Sequence, residues 1–227
     1  MKIALIGYGK MGHAIASLAE GRGHEVVCTI DNDTEMIERE GAMLQSDVAI
    51  EFTTPATAVA NIRRCLALGV PVVSGTTGWN SSYDDVAGEC IRMGGRLFTA
   101  SNFSIGMNIM FAINERLADL MASRDGYTVS LSETHHIHKL DAPSGTALVL
   151  QEAIRKRIPA QEAPIQSIRE GEVPGIHTLR YDSEMDTITL THEAHSRRGL
   201  ALGALLAAEY LAKAAPGVYT MKNLLSD

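Results

Sequence analysis

The residues Lys2-Ile3-Ala4-Leu5-Ile6-Gly7-Tyr8-Gly9-Lys10-Met11-Gly12 join a short apolar run to a glycine-rich turn. An apolar run that stops at glycine is typical of a buried parallel strand. The alanine-rich segment from Met11 to Glu20 predicts a helix directly after the turn. A G-x-G-x-x-G pattern between a strand and a helix has the context in which this motif binds a dinucleotide.

The three glycines of this turn are expected to have different structural roles. Gly7 permits the tight turn, Gly9 lets the backbone approach a pyrophosphate, and Gly12 lets the helix pack close to the strand. The helix N-terminus then presents free N–H groups to the phosphates. Asp31, which closes the second predicted strand, can accept hydrogen bonds from ribose hydroxyls. The alternative is a structural turn followed by an ordinary surface aspartate.

Strands and helices continue to alternate as far as residue 103. We expect strands at residues 25–30, 47–53, 69–74 and 96–100, and helices at residues 55–68 and 83–93. This alternation predicts an α/β fold with a Rossmann-like, doubly wound parallel sheet. The loops Ser74 to Gly78 and Ala100 to Phe103 each follow a strand, where ligands of such sheets bind. Taken singly, each of them is more often only a loop.

The pattern changes after Phe103 to that of a second, α+β domain. Helices are predicted at 107–121 and 146–158, a half-buried antiparallel strand at 127–133, and further strands at 167–180 and 186–193. Such a sheet has one face that must pack on something. The apolar helix at 200–214 finds no partner there. We therefore expect residues 1–103 and 204–227 to form the dinucleotide-binding domain, and residues 104–203 to form the substrate-binding and oligomerisation domain.

Composition disfavours several kinds of partner. The formal net charge is -7, and no run of basic residues exceeds two. Nucleic acids and anionic membranes both need a basic surface, so neither is an expected partner. Glu209 and Lys213 interrupt the late apolar helix, which indicates a core helix rather than a membrane span. Three separated cysteines and the lack of a signal-peptide pattern predict a cytoplasmic location.

Histidine and lysine cluster in the second domain, in His135-His136-Ile137-His138-Lys139. For any single histidine, a solvated surface loop is the more common explanation. Grouped cationic side chains repel one another, and this suits a site that receives an anion. Pro143-Ser144-Gly145-Thr146 then begins a helix whose N–H groups can bind a carboxylate. The segment therefore indicates a site for a small dicarboxylate substrate that receives a proton during the reaction.

A zinc site is the competing interpretation of the same histidines. His135, His138 and Asp141 offer ligand atoms, and so does the segment from His192 to His195. However, His192-Glu193-Ala194-His195 is one residue short of the spacing found in zinc proteases. No cysteine lies nearby, so we expect no metal.

The histidine segment carries a resemblance to a known family. Glu133-x-His135-His136-x-x-Lys139-x-Asp141-x-Pro143-Ser144-Gly145-Thr146-Ala147 resembles the signature of the dihydrodipicolinate reductase family. Further stretches match in order, so that the resemblance covers nearly the whole chain: the glycine turn, Gly75-Thr76-Thr77-Gly78, Ser101-Asn102-Phe103-Ser104, Gly171 to His177, and His192-x-Ala194-x-Ser196-Arg197 with Gly203 downstream.

The resemblance implies a nicotinamide-dependent reduction in lysine biosynthesis, in which a cyclic imine dicarboxylate receives a hydride and a proton. It implies that His135 is the acid–base residue and Lys139 the proton donor, with substrate carboxylates at His136, Gly145 and Thr146. The implied cofactor-binding residues are Gly7, Tyr8, Gly9, Lys10, Met11, Gly12, Asp31, Gly75, Thr76, Thr77, Ala100, Ser101, Asn102 and Phe103. Members of the family are typically homotetramers joined through the sheets of the second domain.

Two departures from the family pattern follow the second strand. The segment from Asp31 to Glu51 is short, and Asn32 stands where some relatives carry arginine. Asp31 favours a free 2′-hydroxyl and repels a 2′-phosphate, while Asp33 adds a second negative charge. Lys10 is a flexible cation and a poorer phosphate clamp than arginine. We expect NADH to be preferred, with some use of NADPH.

Two other functions are compatible with parts of this pattern. An aspartate or diaminopimelate dehydrogenase would share the first domain but would not need the segment from His135 to Thr146. A nucleotide-sensing regulator would usually carry a basic DNA-binding helix pair, which the sequence does not show.

Overall fold

The computed structural model describes residues 1–226 and divides into two units. The first unit contains Met1–Ser104 and the chain from Arg198 to its described end. The second unit contains Ile105–Arg197. The glycine turn therefore lies in the first unit, and the histidine cluster lies in the second.

The first unit is built on a six-stranded parallel sheet. Its strands are β1 (Lys2–Ile6), β2 (Glu25–Ile30), β3 (Val48–Glu51), β4 (Val72–Ser74), β5 (Arg96–Thr99) and β10 (Gly217–Tyr219). They lie in the order β10-β5-β4-β3-β1-β2. Central strands β1 and β3 are almost wholly buried, as expected where helices cover both faces of a parallel sheet. The expected Rossmann-like fold is confirmed.

Helices connect and cover these strands. They are α1 (Lys10–Gly21), α2 (Asp33–Glu38), α3 (Glu40–Met43), α4 (Pro55–Ala67), α5 (Tyr83–Arg92), α8 (Arg198–Lys213) and α9 (Met221–Ser226), with a 3-10 turn at Asn80–Ser82. Two short helices, α2 and α3, fill the trimmed segment after β2. Among residues 1–226, no helix is long and apolar enough to cross a membrane.

Helix α8 packs on α1 and on strands β3, β4 and β5 of the first unit. Its buried side is made of small residues and leucine: Ala201, Ala204, Leu205, Ala207, Ala208 and Leu211. Because the helix is continuous from Arg198, the units divide between Arg197 and Arg198. The boundary expected at residues 203 and 204 falls inside this helix.

The second unit is a four-stranded mixed sheet with two helices. The elements are α6 (Ile105–Met121), β6 (Thr128–His135), α7 (Gly145–Arg157), β7 (Ile165–Arg169), β8 (Ile176–Asp182) and β9 (Thr187–Glu193). The strand order is β7-β6-β8-β9, and the pair β6–β7 is parallel while the others are antiparallel. Alternate residues of β6 and β8, such as Leu131 and Leu179, are buried with α6 and α7.

The strand expected at residues 167–180 is two strands in the structure. β7 ends at Arg169 and β8 begins at Ile176, and the intervening loop contains Gly171 and Gly175, both with positive φ. Glycine in that conformation breaks a strand, because other residues rarely adopt it. β6 was expected to be an antiparallel strand; it pairs with β8 in that way, but its pairing with β7 is parallel.

The close contact between α8 and the loop after β5 predicts that adding one methyl group at Gly203 strongly lowers the stability of the fold. A Cβ on Gly203 would lie 1.7 Å from the carbonyl oxygen of Phe103, whereas a Cβ on Gly199 of the same helix would meet nothing within 4 Å. We expect Gly203→Ala to lower the free energy of unfolding by about 3 kcal/mol or more, through overpacking against backbone. Gly199→Ala should change it by no more than about 1 kcal/mol. Urea unfolding of both variants tests this, and equal stabilities would contradict it.

Candidate active site

The glycine turn after β1 leaves open space at one position. A Cβ on Gly7, whose φ is +90°, would lie 2.0 Å from the carbonyl oxygen of Phe52, and one on Gly12 would lie 2.4 Å from that of Gly7. The packing of the protein itself therefore requires both glycines. A Cβ on Gly9 would meet nothing within 4 Å, and its φ is not positive. Gly9 thus keeps free space beside the N-terminus of α1, which fits close approach of a pyrophosphate.

A cleft of about 300 Å³ adjoins this turn. It is lined by Gly7, Gly9 and Asp31, three residues that the sequence analysis expects to bind the cofactor. It is also lined by residues to which that analysis gave no role: Phe52, Thr53, Thr54, Thr57 and Asn61. These follow β3 in the chain. The signal that could have found them is their place after a strand of the parallel sheet, the same argument that selected the loops after β4 and β5.

Asp31 is tied to the glycine turn by one carboxylate oxygen. Its Oδ1 accepts a hydrogen bond from the backbone N–H of Tyr8 at 2.5 Å. Helix α2 is capped by the next residue, because Asn32 Oδ1 accepts from the N–H of Glu35 at 3.0 Å. The Glu35 carboxylate in turn accepts from the backbone N–H of Asp31 at 2.9 Å. Asp31 thus lines the cleft in a surrounding made more negative by Glu35.

A fully buried carboxylate, Glu51, orders the loops after β3 and β4. It accepts hydrogen bonds from Ser74 Oγ at 2.6 Å, from Thr76 Oγ1 at 2.7 Å and from the N–H of Thr53 at 3.0 Å. Gly75 lies between two of these donors, where a Cβ would come within 2.1 Å of the Phe52 ring. The next residue, Thr77, is exposed.

The loop after β5 mixes core and surface residues. Phe103 is 2% exposed and its ring packs near Phe52 and Phe98, so its side chain belongs to the core. Ala100, Ser101 and Asn102 are partly or fully exposed at the same edge of the sheet.

In the second unit, His135 is the last residue of β6 and is buried. Its Nδ1 lies 2.9 Å from Glu133 Oε2, an electrostatic contact rather than a well-aligned hydrogen bond. Its ring meets that of His177, from β8, edge to face at a centroid distance of 5.0 Å. The alternation of β6 places Glu133 and His135 on the same buried face, which the sequence pattern could have indicated.

Glu133 is the buried anion of this cluster. Its Oε1 accepts from the backbone N–H of Ser144 at 3.0 Å and from Arg169 Nη2 at 3.1 Å. Burial opposes ionisation of the carboxyl, but interactions with Ser144, Ser167 and Arg169 outweigh it and lower the pKa of Glu133 to about 2. The sequence analysis quoted Glu133 and His177 within motifs but assigned no role to them, and Arg169 was not singled out.

Burial favours the uncharged form of both buried imidazoles in the free protein. Burial lowers the pKa of His135, the negative charge of Glu133 opposes that shift, and Lys139 adds to it. Burial and the neighbouring His135 lower the pKa of His177 to about 4. Protonation of His135 therefore depends on negative charge nearby.

Lys139 and its loop are tied to β7. Lys139 Nζ donates to both oxygens of Asp141, at 2.7 and 2.9 Å. The Arg169 guanidinium donates to the backbone carbonyls of Lys139 and Asp141 at 3.3 and 2.6 Å. His136 is partly buried, whereas His138 is exposed and pairs with Glu172 at 2.9 Å.

The N-terminus of α7 has the features expected of a carboxylate site. Ser144 caps the helix, with its side chain accepting from the N–H of Ala147. Gly145 and Thr146 form the first turn. Gly145 has no positive φ, and a Cβ there would meet nothing within 4 Å. Neither backbone strain nor packing explains this glycine, and the free space suits a ligand that approaches the N–H groups.

The metal ligands considered from the sequence do not come together. His138 pairs with Glu172, and Asp141 pairs with Lys139. His135 instead lies with Glu133 and His177, whose ligand atoms are within 4.8 Å of one another. The Arg169 guanidinium bound to Glu133 opposes the binding of a further cation by this group. The absence of a metal stays a prediction.

Comparison with known proteins decides the family. Sequence models described as "Dihydrodipicolinate reductase, N-terminus" and "Dihydrodipicolinate reductase, C-terminus" match residues 1–103 and 106–225. The chain belongs to the dihydrodipicolinate reductase family. As a member, it is an oxidoreductase of lysine and diaminopimelate biosynthesis that uses NAD(P)H through its first unit. The expected family is confirmed, and neither competing function is supported.

Similar proteins cover the chain from end to end. A 4-hydroxy-tetrahydrodipicolinate reductase of Christiangramia forsetii is 42% identical, over 100% of this chain and 98% of its own length. That of Lawsonia intracellularis is 31% identical, over 99% of each chain. The fold matches a dipicolinate-bound dihydrodipicolinate reductase from Paenisporosarcina sp. TG-14, with a TM-score of 0.79, 21% identity and 98% coverage of each chain.

Proposed function

We propose that this protein reduces 4-hydroxy-tetrahydrodipicolinate to tetrahydrodipicolinate. The observation that carries the proposal is the pairing of buried His135 with Glu133, which itself binds the N-terminus of α7. Glu133 thus contacts both a candidate proton-transfer residue and the helix end that can bind a carboxylate. The names of the relatives and the dicarboxylate bound to the Paenisporosarcina enzyme support this choice of substrate.

The residues of the second unit supply binding and proton transfer. The N–H groups of Gly145 and Thr146 hold one substrate carboxylate, and His136 holds the other. The hydroxy-substrate loses water to give a conjugated cyclic imine, and NAD(P)H, when bound, would supply the hydride to that ring. One proton is added to the adjacent carbon, with Lys139 as the proton donor and His135 as the acid–base residue that the family assignment implies. The negative charge of the bound substrate favours the protonated form of His135.

The residues of the first unit hold the nucleotide. The residues from Gly7 to Gly12 bind the pyrophosphate, and Asp31 binds the adenosine ribose. Two loops line the nicotinamide end of the site: one contains Gly75, Thr76 and Thr77, and the other contains Ala100, Ser101, Asn102 and Phe103. Since the Phe103 side chain is buried in the core, only its backbone is available to a cofactor.

A coupled assay tests the reaction and its acid residues. An upstream synthase makes the substrate from pyruvate and aspartate semialdehyde, and absorbance follows NADH consumption. We expect His135→Ala and Lys139→Ala each to lower kcat by roughly 10²–10⁴-fold, the usual contribution of general acid catalysis. NADH affinity should change little, because both residues lie outside the first unit.

The matched control is His138→Ala, which removes an exposed histidine from the same loop and should leave kcat near wild type. No NADH or NADPH consumption by the wild-type protein would refute the proposed reaction. Near wild-type kcat in both acid variants would refute the roles of these residues.

We propose that NADH is preferred over NADPH. Asp31 and Glu35 make the ribose end of the cleft negative, and Asn32 is engaged in capping α2. A 2′-phosphate would be repelled there. We expect Asp31→Ala to shift the ratio of kcat/KM toward NADPH by about tenfold or more, equal to about 1.4 kcal/mol. Asp84→Ala, an exposed aspartate on α5, should leave the ratio unchanged. A wild-type preference for NADPH would defeat this proposal.

We also propose a cytoplasmic homotetramer joined through the sheet of the second unit. The face opposite α6 and α7 is exposed and polar; Thr178 and Thr191 lie side by side there, with their hydroxyl oxygens 3.1 Å apart. Light scattering should give about four times the 24.4 kDa chain mass, and Thr191→Arg should lower it by placing like charges in the interface. A wild-type monomer at micromolar concentration would refute the tetramer.

A further inference from the structure

Glu133 is linked to three parts of the second unit to which the proposed function assigns a task, directly to His135 and to the start of α7, and through Arg169 to the Lys139 loop. Its Oε2 lies 2.9 Å from His135 Nδ1, and its Oε1 accepts from the N–H of Ser144, the residue before Gly145 and Thr146. The same oxygen accepts from Arg169, whose guanidinium also binds the backbone carbonyl of Lys139. The acid–base histidine, the carboxylate-binding helix end and the lysine loop are therefore linked through one carboxylate.

We propose that Glu133 is the positioning residue of the reaction, holding the His135 imidazole, the N-terminus of α7 and the Lys139 loop in a fixed mutual arrangement. This proposal rests on the proposed function, which gives His135, the N-terminus of α7 and Lys139 their roles in the reaction. Glu133 has 0% side-chain exposure, so it reaches its partners through fixed contacts and does not itself meet the substrate.

Core packing alone does not account for this residue. A buried carboxylate costs several kcal/mol in desolvation, and apolar residues often replace buried ion pairs without loss of stability. Neighbouring inward positions of the same strand, Val129 and Leu131, are apolar. A charge at the third inward position, with donors converging from β7 and from the start of α7, indicates a task other than filling space.

The charge of Glu133 also bears on proton transfer. Burial lowers the pKa of His135, and the charge of Glu133 is the largest contribution that raises it. The other charged or titratable groups that face His135 are Lys139 and Asp141 from the loop, Arg169 from β7 and His177 from β8. Lys139 and Arg169 disfavour the protonated imidazole, while Asp141 favours it from a more exposed position. Removing the charge of Glu133 should therefore make His135 harder to protonate.

The decisive experiment compares Glu133→Gln, which keeps length but loses charge, with Glu133→Asp, which keeps charge but loses reach. NMR titration of the His135 imidazole in the protein without substrate is the first readout, and kcat with KM for NADH is the second. The matched control is Glu172→Gln, which makes the same change at the exposed Glu172–His138 pair.

In Glu133→Gln, we expect the His135 titration to move to lower pH and kcat to fall roughly ten- to a hundredfold, as when a partner that orients a functional histidine is lost. The KM for NADH should stay unchanged. In Glu133→Asp, the His135 titration should stay closer to wild type while kcat still falls at least tenfold. Glu172→Gln should change neither quantity.

An unmoved or upward His135 titration in Glu133→Gln would overturn the electrostatic part, and wild-type kcat in Glu133→Asp would overturn the positioning part. If Glu133→Gln does not fold, the kcat of Glu133→Asp still decides whether the reach of the side chain matters. The titration is measured without substrate, so its result does not depend on the proposed reaction. The expected shift of His135 can be absent although the enzyme reduces its proposed substrate, and it can be present although the true substrate is another dicarboxylate.

Discussion

The need to satisfy a buried carboxylate determines where the binding loops lie in both units. A carboxylate removed from water is costly unless several donors reach it. Glu51 takes its donors from the loops after β3 and β4, and Glu133 takes its donors from β7 and the start of α7. Because these donors belong to different segments of the chain, each carboxylate fixes loops that the strands alone would leave free.

The parts of the fold that the sequence predicted well are those specified by neighbouring residues. The strand, turn and helix from Lys2 to Gly21 form one local motif, and the packing around Gly7 and Gly12 requires glycine in the structure. The histidine and lysine segment was found because its spacing is long and specific. Its histidines nevertheless differ in setting, since His135 is buried against Glu133 and His138 is exposed.

The parts that were missed depend on pairing between distant residues. β10 has only three residues and is stabilised by pairing with β5, which lies far away in the chain. The division of residues 167–180 into β7 and β8 arises because the chain reverses its relation to β6, parallel in one strand and antiparallel in the other. Arg169 was missed for the same reason, since its partners, Glu133 and the carbonyls of the lysine loop, come together only through that pairing.

The electrostatics of the second unit also explain when a proton would be available. In the free protein, burial lowers the pKa of both His135 and His177, and Arg169 compensates the charge of Glu133. The cluster thus has little net charge of its own to hold a proton. A dicarboxylate would bring negative charge beside His135 and raise the pKa of its imidazole. If His135 is the acid of the proposed reaction, binding of the substrate would therefore favour the protonated form of the imidazole at the point where the proton is needed.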